Sequence, residues 1–512
     1  MDDLLVALAG NPALPPALVD RLIGPAGEDL AHALAYRTDL TTAQVRALAV
    51  RSESAAVVLA RDGRLTAEDL ESVFPHLRGT AAYLQLALLD EGRGRPEWAR
   101  RLAAEANPDI RQKLAACPDL PPEISEVLAA DPDPEVVAEL ALHTTDPELL
   151  ARLAGHRHAE VRIMVAANPD TPPDRLAALV ANDSPAEACL VCDREPIPFV
   201  HAPHCDREDC TLLPGMSCDG SHESAVHSLR QRAVDNLGTP MSALVGFADE
   251  PSMSLRWALA ARPDLPPEVA GRLAGDPVPG VRYHLADNPA LPVELMRRLA
   301  ADPSHEVRRR LADNPRLPLD VLAEVARTTR IGPALLPRIA AATYAEVLDL
   351  TENPDPEVRM LLAARRDLPP EVRDKLAADP DAKVVAAVAG HPGLGAELLS
   401  RMVATHGVRV QSSVAANPDA PGDLLLDLAR RDPRVPKALR EVARHPNAEA
   451  GALEHCLADE RARPIAAGHP ALPAERVAAL LADPDPQVAE SAAGNPSLPV
   501  EAMARLISDR AR

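Results

Sequence analysis

The sequence predicts an all-α fold: a right-handed α-solenoid of about 18 two-helix repeats of 26 residues, with one cysteine-rich metal-binding insert. A pattern built around Asn-Pro and Leu-Pro recurs every 26 residues along most of the 512-residue chain. The chain contains 53 prolines, but 46% of its residues are apolar. Disordered proline-rich chains have a much lower apolar content. The prolines therefore separate short helices, and a period of this length is typical of stacked repeats.

The repeat is clearest in three consecutive copies, which begin at Leu255, Val281 and Val307. The middle copy reads VRYHLADNPALPVELMRRLAADPSHE. A proline anchors the same position in many copies: Pro263, Pro289, Pro315, Pro392, Pro418, Pro470 and Pro496. Weaker copies carry Thr38, Pro118, Thr144 and Pro169 there, and the copies near 70–100, 325–350 and 430–460 are degenerate.

Each copy is predicted to form two short helices. The first helix carries an apolar stripe with a spacing of four residues, at Leu291, Leu295 and Leu299. Pro292 is expected in its first turn, where a missing N–H is tolerated. The second helix buries Val281 and Leu285 and ends by Asn288, because the following proline disfavours helical geometry in the residue before it. Neither helix buries its stripe alone, so the copies must stack.

The segment VRYHLADNPALPVELMRRLAADP resembles the leucine-rich repeat variant family, which is similar in style to HEAT-type solenoids. The resemblance covers most of the chain outside roughly 186–227. It implies stacked pairs of short helices, one α-helical and one closer to 3₁₀. It also implies that a cysteine-ligated iron–sulfur cluster accompanies the repeats in some members.

An insert interrupts the register in the first half of the chain. The anchor after Pro169 is Leu237, and this gap of 68 residues equals one repeat plus 42 residues. The sequence thus predicts N-terminal repeats over 1–185, an insert over 186–227 and C-terminal repeats over 228–512. The insert separates a first helix ending near Ala181 from a second helix beginning near Ser228, so it projects from a turn without breaking the stack.

The insert gathers five of the seven cysteines within 34 residues. A segment of this size cannot build a sizeable hydrophobic core, so a metal is expected to fold it. Two spaced pairs of thiolates satisfy either a tetrahedral metal or an iron–sulfur cluster. The predicted ligands are Cys189, Cys192, Cys205 and Cys210, with Cys218 and His222 as alternates.

The identity of the metal stays open at the level of the sequence. The C-x2-C spacing of Cys189 and Cys192 serves zinc as well as iron–sulfur clusters. The family resemblance implies a [4Fe–4S] cluster, and zinc is the alternative. Cys218 and His222 also close a Cys-Asp-Gly-Ser-His sequence that is similar to the end of the CDGSH [2Fe–2S] motif, although the C-x-C pair of that motif is not present upstream.

Outside the insert, one column of charge stands out. An arginine recurs seven residues before the anchor, at Arg111, Arg162, Arg230, Arg256, Arg282, Arg308 and Arg359. Glu250, Asp276 and Asp302 recur six residues before three of these arginines. This pattern favours an ion-pair ladder between neighbouring copies, and a basic stripe for an acidic partner is the alternative. His391, His469 and Cys117 stand where other copies carry Asn, and we expect structural roles for them and for Cys456.

Charge and composition narrow the functional classes. A net charge of −22 argues against nucleic-acid binding, and no apolar run is long enough to span a membrane. The acidic start and the clustered cysteines favour the cytoplasm. No catalytic motif is recognisable, so an enzymatic role stays uncertain. The leading interpretation is a scaffold that binds a protein partner, and the alternative is an iron–sulfur redox or iron-sensing regulator whose cluster controls that binding.

Overall fold

A computed structural model describes residues 2–24, 26–73, 81–181, 225–250 and 252–510. In these ranges the chain forms 36 α-helices and no strand. The predicted all-α class is therefore confirmed, and 36 helices correspond to the predicted number of about 18 pairs.

The helices before the insert are α1 Asp2–Ala9, α2 Pro16–Ile23, α3 Glu28–Ala35, α4 Thr42–Arg51, α5 Glu53–Arg61, α6 Ala67–Val73, α7 Ala81–Asp90, α8 Pro96–Leu102, α9 Pro108–Ala115, α10 Pro122–Ala129, α11 Pro134–His143, α12 Pro147–Leu153, α13 Ala159–Ala167 and α14 Pro173–Ala181. The next helices are α15 Ala225–Asp235, α16 Met241–Leu244, α17 Met253–Ala260, α18 Pro267–Leu273, α19 Pro279–Ala286, α20 Val293–Ala300, α21 His305–Leu311, α22 Leu319–Thr328 and α23 Pro337–Ala340. The last are α24 Tyr344–Thr351, α25 Pro356–Ala363, α26 Pro370–Ala377, α27 Ala382–Val388, α28 Ala396–His406, α29 Gln411–Ala415, α30 Gly422–Arg430, α31 Pro436–Arg444, α32 Ala450–Cys456, α33 Arg463–Ala467, α34 Ala474–Leu480, α35 Pro486–Ala493 and α36 Val500–Arg510.

Two compact units divide the chain. Unit 1 comprises Met1–Leu84, Gly332–Leu335 and Ala342–Arg512, and unit 2 comprises Gln85–Ile331 and Leu336–Ala341. In both units the even-numbered helices are the first helices of their repeats and the odd-numbered helices are the second helices. Unit 1 therefore contains both ends of the chain.

The core of each repeat comes from both of its helices. Val281 and Leu285 of α19 are fully buried, as predicted for a second helix. In α20 the prediction was partly wrong, because Met296 and Leu299 are buried whereas Leu295 is only half-buried. The buried face of this helix is therefore offset by one residue from the predicted leucine stripe.

Proline fixes the start of both kinds of helix in different ways. Second helices such as α25 open with Asp355-Pro356, where the aspartate side chain accepts a hydrogen bond from the backbone N–H of Glu357 at 2.9 Å. First helices such as α20 follow a proline instead. Pro292 was expected in the first turn, but it is the N-cap residue, with extended backbone angles, and the helix begins at Val293.

The second helices are α-helical, which differs from what the family resemblance implied. In the described ranges, 3₁₀ geometry is found at Val245–Asp249 and Gly407–Arg409. Each of these segments adjoins a short helix, so 3₁₀ geometry here fills gaps beside shortened helices and does not define one helix in every repeat.

Candidate functional site

The predicted metal ligands lie outside the described residues. Cys189, Cys192, Cys205, Cys210, Cys218 and His222 all fall between α14 and α15. These two helices pack together as the first and second helices of one repeat. Asn236, which follows α15, donates hydrogen bonds from Nδ2 to the carbonyls of Ala166 and Asn168 at 2.9 and 2.8 Å. The stack thus runs on across the insertion point.

The remaining two cysteines are buried thiols. Burial raises the pKa of Cys117 to about 12, and it raises the pKa of Cys456 to about 12 as well. Both side chains are therefore neutral near pH 7, and neither is suited to ligate a metal or attack a substrate. Across the described ranges, no group of three or more His, Cys, Asp or Glu side chains is arranged to hold a metal ion.

The recurring arginines form a ladder of ion pairs between repeats. Arg256 Nε donates to Asp276 at 2.6 Å, and Arg282 Nε donates to Asp302 at 2.7 Å. Arg282 Nη1 also donates to the Asp276 carbonyl at 2.7 Å. Arg282, on the second helix α19, therefore links the turn before α19 to the turn that follows the next helix, α20. Arg111–Asp131 and Arg359–Asp379 repeat this geometry. The ion-pair interpretation is confirmed for these four arginines, whereas Arg308 of the same column donates from Nε to the hydroxyl of Thr329 at 2.9 Å.

A second set of contacts between repeats, which we call the asparagine ladder, is made by the residue before the anchor proline. Asn288 Nδ2 donates to the carbonyls of Ala260 and Arg262 at 2.6 and 2.7 Å, so one side chain ties its own turn to the previous repeat. Histidines replace the asparagine in some copies. His391 is 2% exposed, and burial lowers its pKa. The expected structural role of this histidine is confirmed.

The second helices define one face of each unit. Along most of the chain, successive second helices pack against each other more extensively than successive first helices do. Helical-repeat proteins offer such a row of stacked helices to their partners as an extended surface. In unit 2 this face is formed by α9, α11, α13, α15, α17, α19 and α21.

An aromatic and arginine-containing cluster lies on this face, across α17, α19 and α21. We call Trp257, Tyr283, His284 and Arg310 the aromatic patch. The His284 ring centroid lies 5.4 Å from that of Trp257, and the Arg310 guanidinium lies 5.3 Å from the Tyr283 ring centroid. Both aromatic residues are half-buried, so each ring keeps part of its surface toward solvent.

Charge at the patch is partly neutralised. Arg310 forms an ion pair with Asp287 at 2.5 Å and lies 3.8 Å from Asp313. Burial works against the charge of Arg310, but the nearby carboxylates outweigh it and raise its pKa. Burial lowers the pKa of His284 and raises that of Asp313. The patch therefore presents a neutral imidazole between two aromatic rings, with one cation at its edge.

The sequence carried a signal for this patch that the repeat analysis did not use. Trp257 and Tyr283 occupy the same repeat position in consecutive copies, and Arg309 occupies it in the next copy. Only 2% of the chain is aromatic, so two aromatic residues separated by one period are an unusual concentration. Position within the repeat, and not local sequence, brings them together.

Among the described residues, none of the helices has both the length and the apolar character that crossing a membrane requires. One repeat, residues 159–184, matches the family described as leucine rich repeat variant. This stretch begins with the second helix α13, contains the anchor Pro169 and extends through the first helix α14. A search of curated proteins finds no match.

Several solved structures are similar to the chain at low identity. One is a leucine-rich repeat variant with a novel repetitive structural motif, at 19% identity and a TM-score of 0.30, over 55% of this chain and 88% of that one. Another is UNC-45 from Drosophila melanogaster, at 13% identity and a TM-score of 0.18, over 96% of this chain and 63% of that one. A third is a chain from a structure of Kap95p binding to RanGDP, at 10% identity and a TM-score of 0.22, over 96% and 74%. By the family match, the repeat at 159–184 is of the leucine-rich repeat variant type.

Proposed function

We propose that this chain is a scaffold of the leucine-rich repeat variant type, which binds a protein partner through the aromatic patch and carries a cysteine-ligated metal centre in its insert. The extension of the family assignment from 159–184 to the other copies rests on the asparagine ladder. Asn168 in that repeat donates to the carbonyls of Ala141 and Thr144, and Asn288, Asn314, Asn417 and Asn495 make comparable contacts in their own repeats.

The observation that carries the partner-binding proposal is the aromatic patch. Trp, Tyr and Arg are the residue types most enriched among the side chains that dominate binding energy at protein interfaces. Here all three types lie on adjacent second helices, and the rings are held in place by contacts with His284 and Arg310. Rigid, half-exposed rings lose little conformational entropy when a partner covers them.

The chemistry of the partner follows from charge. The chain has a net charge of −22, so its long-range field attracts a basic protein surface. At the patch itself, Arg310 is already paired with Asp287, so an acidic anchor would gain little there. We therefore propose a basic protein segment with an apolar or aromatic anchor that covers Trp257 and Tyr283.

The test is a quantitative capture experiment with matched variants. Wild-type protein, Trp257→Ala, Tyr283→Ala and Tyr344→Ala are immobilised, and the proteins retained from a lysate of the source cells are compared by mass spectrometry. Tyr344 is the control, because it is 58% exposed on α24 and belongs to unit 1, whereas all four residues of the aromatic patch belong to unit 2. A partner of the patch is retained by the wild type and by Tyr344→Ala but is lost from both patch variants.

The affinity of the purified partner then measures the energetic role of each ring. Removal of a central aromatic side chain costs about 2 kcal/mol or more at such interfaces, which corresponds to roughly a thirtyfold loss of affinity. Tyr283→Phe retains the ring and should bind within a few-fold of the wild type. A partner that binds Trp257→Ala and Tyr283→Ala as tightly as the wild type would place the binding site elsewhere.

The metal centre is proposed from the donor chemistry of the insert. The two thiol pairs, Cys189 with Cys192 and Cys205 with Cys210, supply the four soft ligands that a [4Fe–4S] cluster or a structural zinc ion takes. Cys218 and His222 are the alternate ligands. When bound, the metal would supply folding free energy that so short a segment cannot obtain from apolar burial.

The two metals predict different functions for the insert. A zinc ion does not change its oxidation state and would only stabilise the segment, whereas a cluster could make partner binding depend on redox state or iron supply. Protein purified without oxygen and without chelator distinguishes them by metal analysis and visible absorption. Thiolate-to-iron charge transfer colours the protein brown, and one zinc ion leaves it colourless.

Three further expectations accompany this function. The acidic charge that attracts a basic protein repels nucleic acid, so no binding to DNA or RNA is expected. Thiolate ligands persist in a reducing compartment, so we propose a cytoplasmic location. Neither the patch nor the two ladders contains a group placed for catalysis, and a non-enzymatic role is proposed.

A further inference from the structure

One contact of the arginine ladder is made to a hydroxyl instead of a carboxylate. In the complete contacts the arginine donates to the aspartate that lies 20 residues later, as Arg111, Arg256, Arg282, Arg359 and Arg463 do. The residue 20 positions after Arg308 is Thr328, and Arg308 Nε donates to Oγ1 of the next residue, Thr329, at 2.9 Å. This contact therefore lacks the negative charge that the aspartates supply.

The guanidinium of Arg308 keeps unused donor capacity. In a complete contact Nε and Nη2 donate to the two carboxylate oxygens, as those of Arg282 do to Asp302 at 2.7 and 3.0 Å. Arg308 uses Nε for the Thr329 hydroxyl and Nη1 for the carbonyls of Asp302 and Pro303. In the described ranges, Nη2 of Arg308 makes no hydrogen bond and the side chain forms no ion pair. A half-buried cation thus keeps a fork that fits two anionic oxygens.

The segment around Thr329 carries further positive charge and few backbone hydrogen bonds. Arg327 and Arg330 flank the two threonines, and both arginines are exposed. Thr329 has an extended backbone after the end of α22, and no helix follows before Pro337. Among the described residues, no backbone N–H of 329–331 donates to a backbone carbonyl. Such a segment opens locally at low free-energy cost, and opening exposes the Thr329 hydroxyl, which is 8% exposed when the segment is closed.

We propose that Thr329 is a phosphorylation site, and that its phosphate takes the place of the missing ladder carboxylate. A protein kinase supplies the phosphoryl group from a nucleoside triphosphate. Oγ1 of Thr329 attacks the γ-phosphorus, and the bond from that phosphorus to the oxygen shared with the β-phosphate breaks. The nucleoside diphosphate leaves, and the hydroxyl proton passes to the carboxylate base of the kinase. The exposed Arg327 and Arg330 favour a kinase with an acidic substrate-binding surface.

The phosphate completes the contact with Arg308. A phosphothreonine carries a charge of about −1.5 to −2 near pH 7 and three acceptor oxygens, and it orders a loop when it lies opposite arginine side chains. Nε and Nη2 of Arg308 then donate to two of these oxygens, as they do to aspartate in the complete contacts. Phosphorylation therefore ties residues 329–331 to α21, the helix that also carries Arg310 of the aromatic patch.

The first measurement maps phosphate on the full-length chain. One sample is purified from the source cells with phosphatase inhibitors, and a second is recombinant protein incubated with Mg²⁺, ATP and an extract of those cells. Phosphopeptide mass spectrometry should find phosphate on Thr329, and Thr329→Val should abolish it. Thr328→Val is the matched control and should keep the signal, because the Thr328 hydroxyl donates to the Glu324 carbonyl at 3.2 Å within α22 and not to the ladder.

The second measurement tests the contact of the phosphate with Arg308. Protein with phosphothreonine incorporated at position 329 is compared with unmodified protein by hydrogen exchange of the backbone amides of 329–331. The phosphate should slow this exchange about tenfold or more, because charge-assisted hydrogen bonds keep the segment closed. Arg308→Ala should lose the effect and Arg308→Lys should keep part of it. Arg309→Ala, at an exposed neighbour, should keep all of it. Far-UV circular dichroism checks that each variant is folded.

Four outcomes would overturn the proposal. The first two are the absence of phosphate on Thr329 from both samples and its presence on Thr328 alone. The third is an equal slowing of exchange in phosphorylated Arg308→Ala and Arg309→Ala. The fourth is the same slowing in unmodified protein with added inorganic phosphate, because Arg308 would then bind a free anion and the covalent modification would not be needed.

Discussion

The contact of Arg282 with Asp302 allows a quantitative test of how one repeat holds the next. Arg282 donates from Nε and Nη2 to the two carboxylate oxygens at 2.7 and 3.0 Å, and from Nη1 to the carbonyl of Asp276 at 2.7 Å. Its side chain is 11% exposed, and that of Asp302 is 5% exposed. Arg282→Ala therefore removes a nearly buried, bidentate ion pair and leaves a buried carboxylate behind.

The expected loss of stability follows from that geometry. Removal of one partner of a buried pair costs about 3–5 kcal/mol. Asp302 retains a hydrogen bond from the backbone N–H of Ser304 at 2.9 Å, which lowers the penalty for the orphaned carboxylate. We therefore expect Arg282→Ala to lower the free energy of unfolding of this part of the stack by about 2–3 kcal/mol.

Urea denaturation followed by tryptophan fluorescence measures this loss, because Trp98 and Trp257 are the only tryptophans of the chain and both lie in unit 2. Arg272→Ala is the matched control. Arg272 pairs with Asp249 at 2.6 Å, but the two side chains are 45% and 73% exposed, so the control should cost less than about 0.5 kcal/mol.

A double-mutant cycle isolates the pair itself. Asp302→Ala in the Arg282→Ala background should cost less than Asp302→Ala alone, with a coupling energy of about 1–3 kcal/mol. An Arg282→Ala loss no larger than that of Arg272→Ala would refute the structural role of the ladder. If Arg282→Ala kept its stability but no longer bound the protein partner, the arginine column would instead be a basic binding surface for that partner.

Two more predictions concern buried groups. Burial lowers the pKa of His391 below its ordinary value of 6.5, so the unfolded state binds its proton at higher pH than the folded state. The stability that the neutral, buried His391 contributes is fully present above pH 6.5 and is lost as the pH falls. His391→Asn should therefore reduce the loss of urea resistance, followed by circular dichroism, between pH 7 and pH 5. An unchanged loss would contradict the assignment of this pH dependence to His391. The thiols of Cys117 and Cys456, with pKa raised to about 12, should resist alkylation at pH 8 in the folded protein and react after unfolding, as mass-spectrometric mapping would show. Rapid alkylation of either thiol without unfolding would contradict its burial.

The sequence predicted those parts of the fold that depend on local, repeated chemistry. The period of 26 residues, the two helices per copy and the arginine ladder all follow from residue types that recur at fixed spacing. The exact buried face of α20 was not predictable from spacing alone. Met296 and Leu295 are both apolar, and the packing of neighbouring helices buries Met296 fully but leaves Leu295 half-buried.

Features that depend on three-dimensional stacking were harder to derive. The aromatic patch combines Trp257, Tyr283 and Arg310 from three successive repeats, and no local motif marks it. The contact of α1 and the following turn with α35 joins residues about 480 positions apart, such as Asn11 and Ala493. No local motif in the sequence marks this contact either.

The most direct test of the account is a joint measurement of metal content and helicity in cysteine variants. The central claim is that the helical stack is self-sufficient and that the insert at 186–227 folds around its own metal. Cys189→Ser or Cys205→Ser, purified without oxygen, should lose the bound iron or zinc while total helicity stays close to that of the wild type. Cys117→Ser and Cys456→Ser should keep full metal content.

A different pattern would redirect or contradict the account. Full metal occupancy after joint replacement of Cys189 and Cys192 would move the site to Cys205, Cys210, Cys218 and His222. Loss of helicity together with the metal would contradict the independence of the stack. A wild-type protein without iron or zinc, purified without oxygen and without chelator, would contradict the metal centre itself.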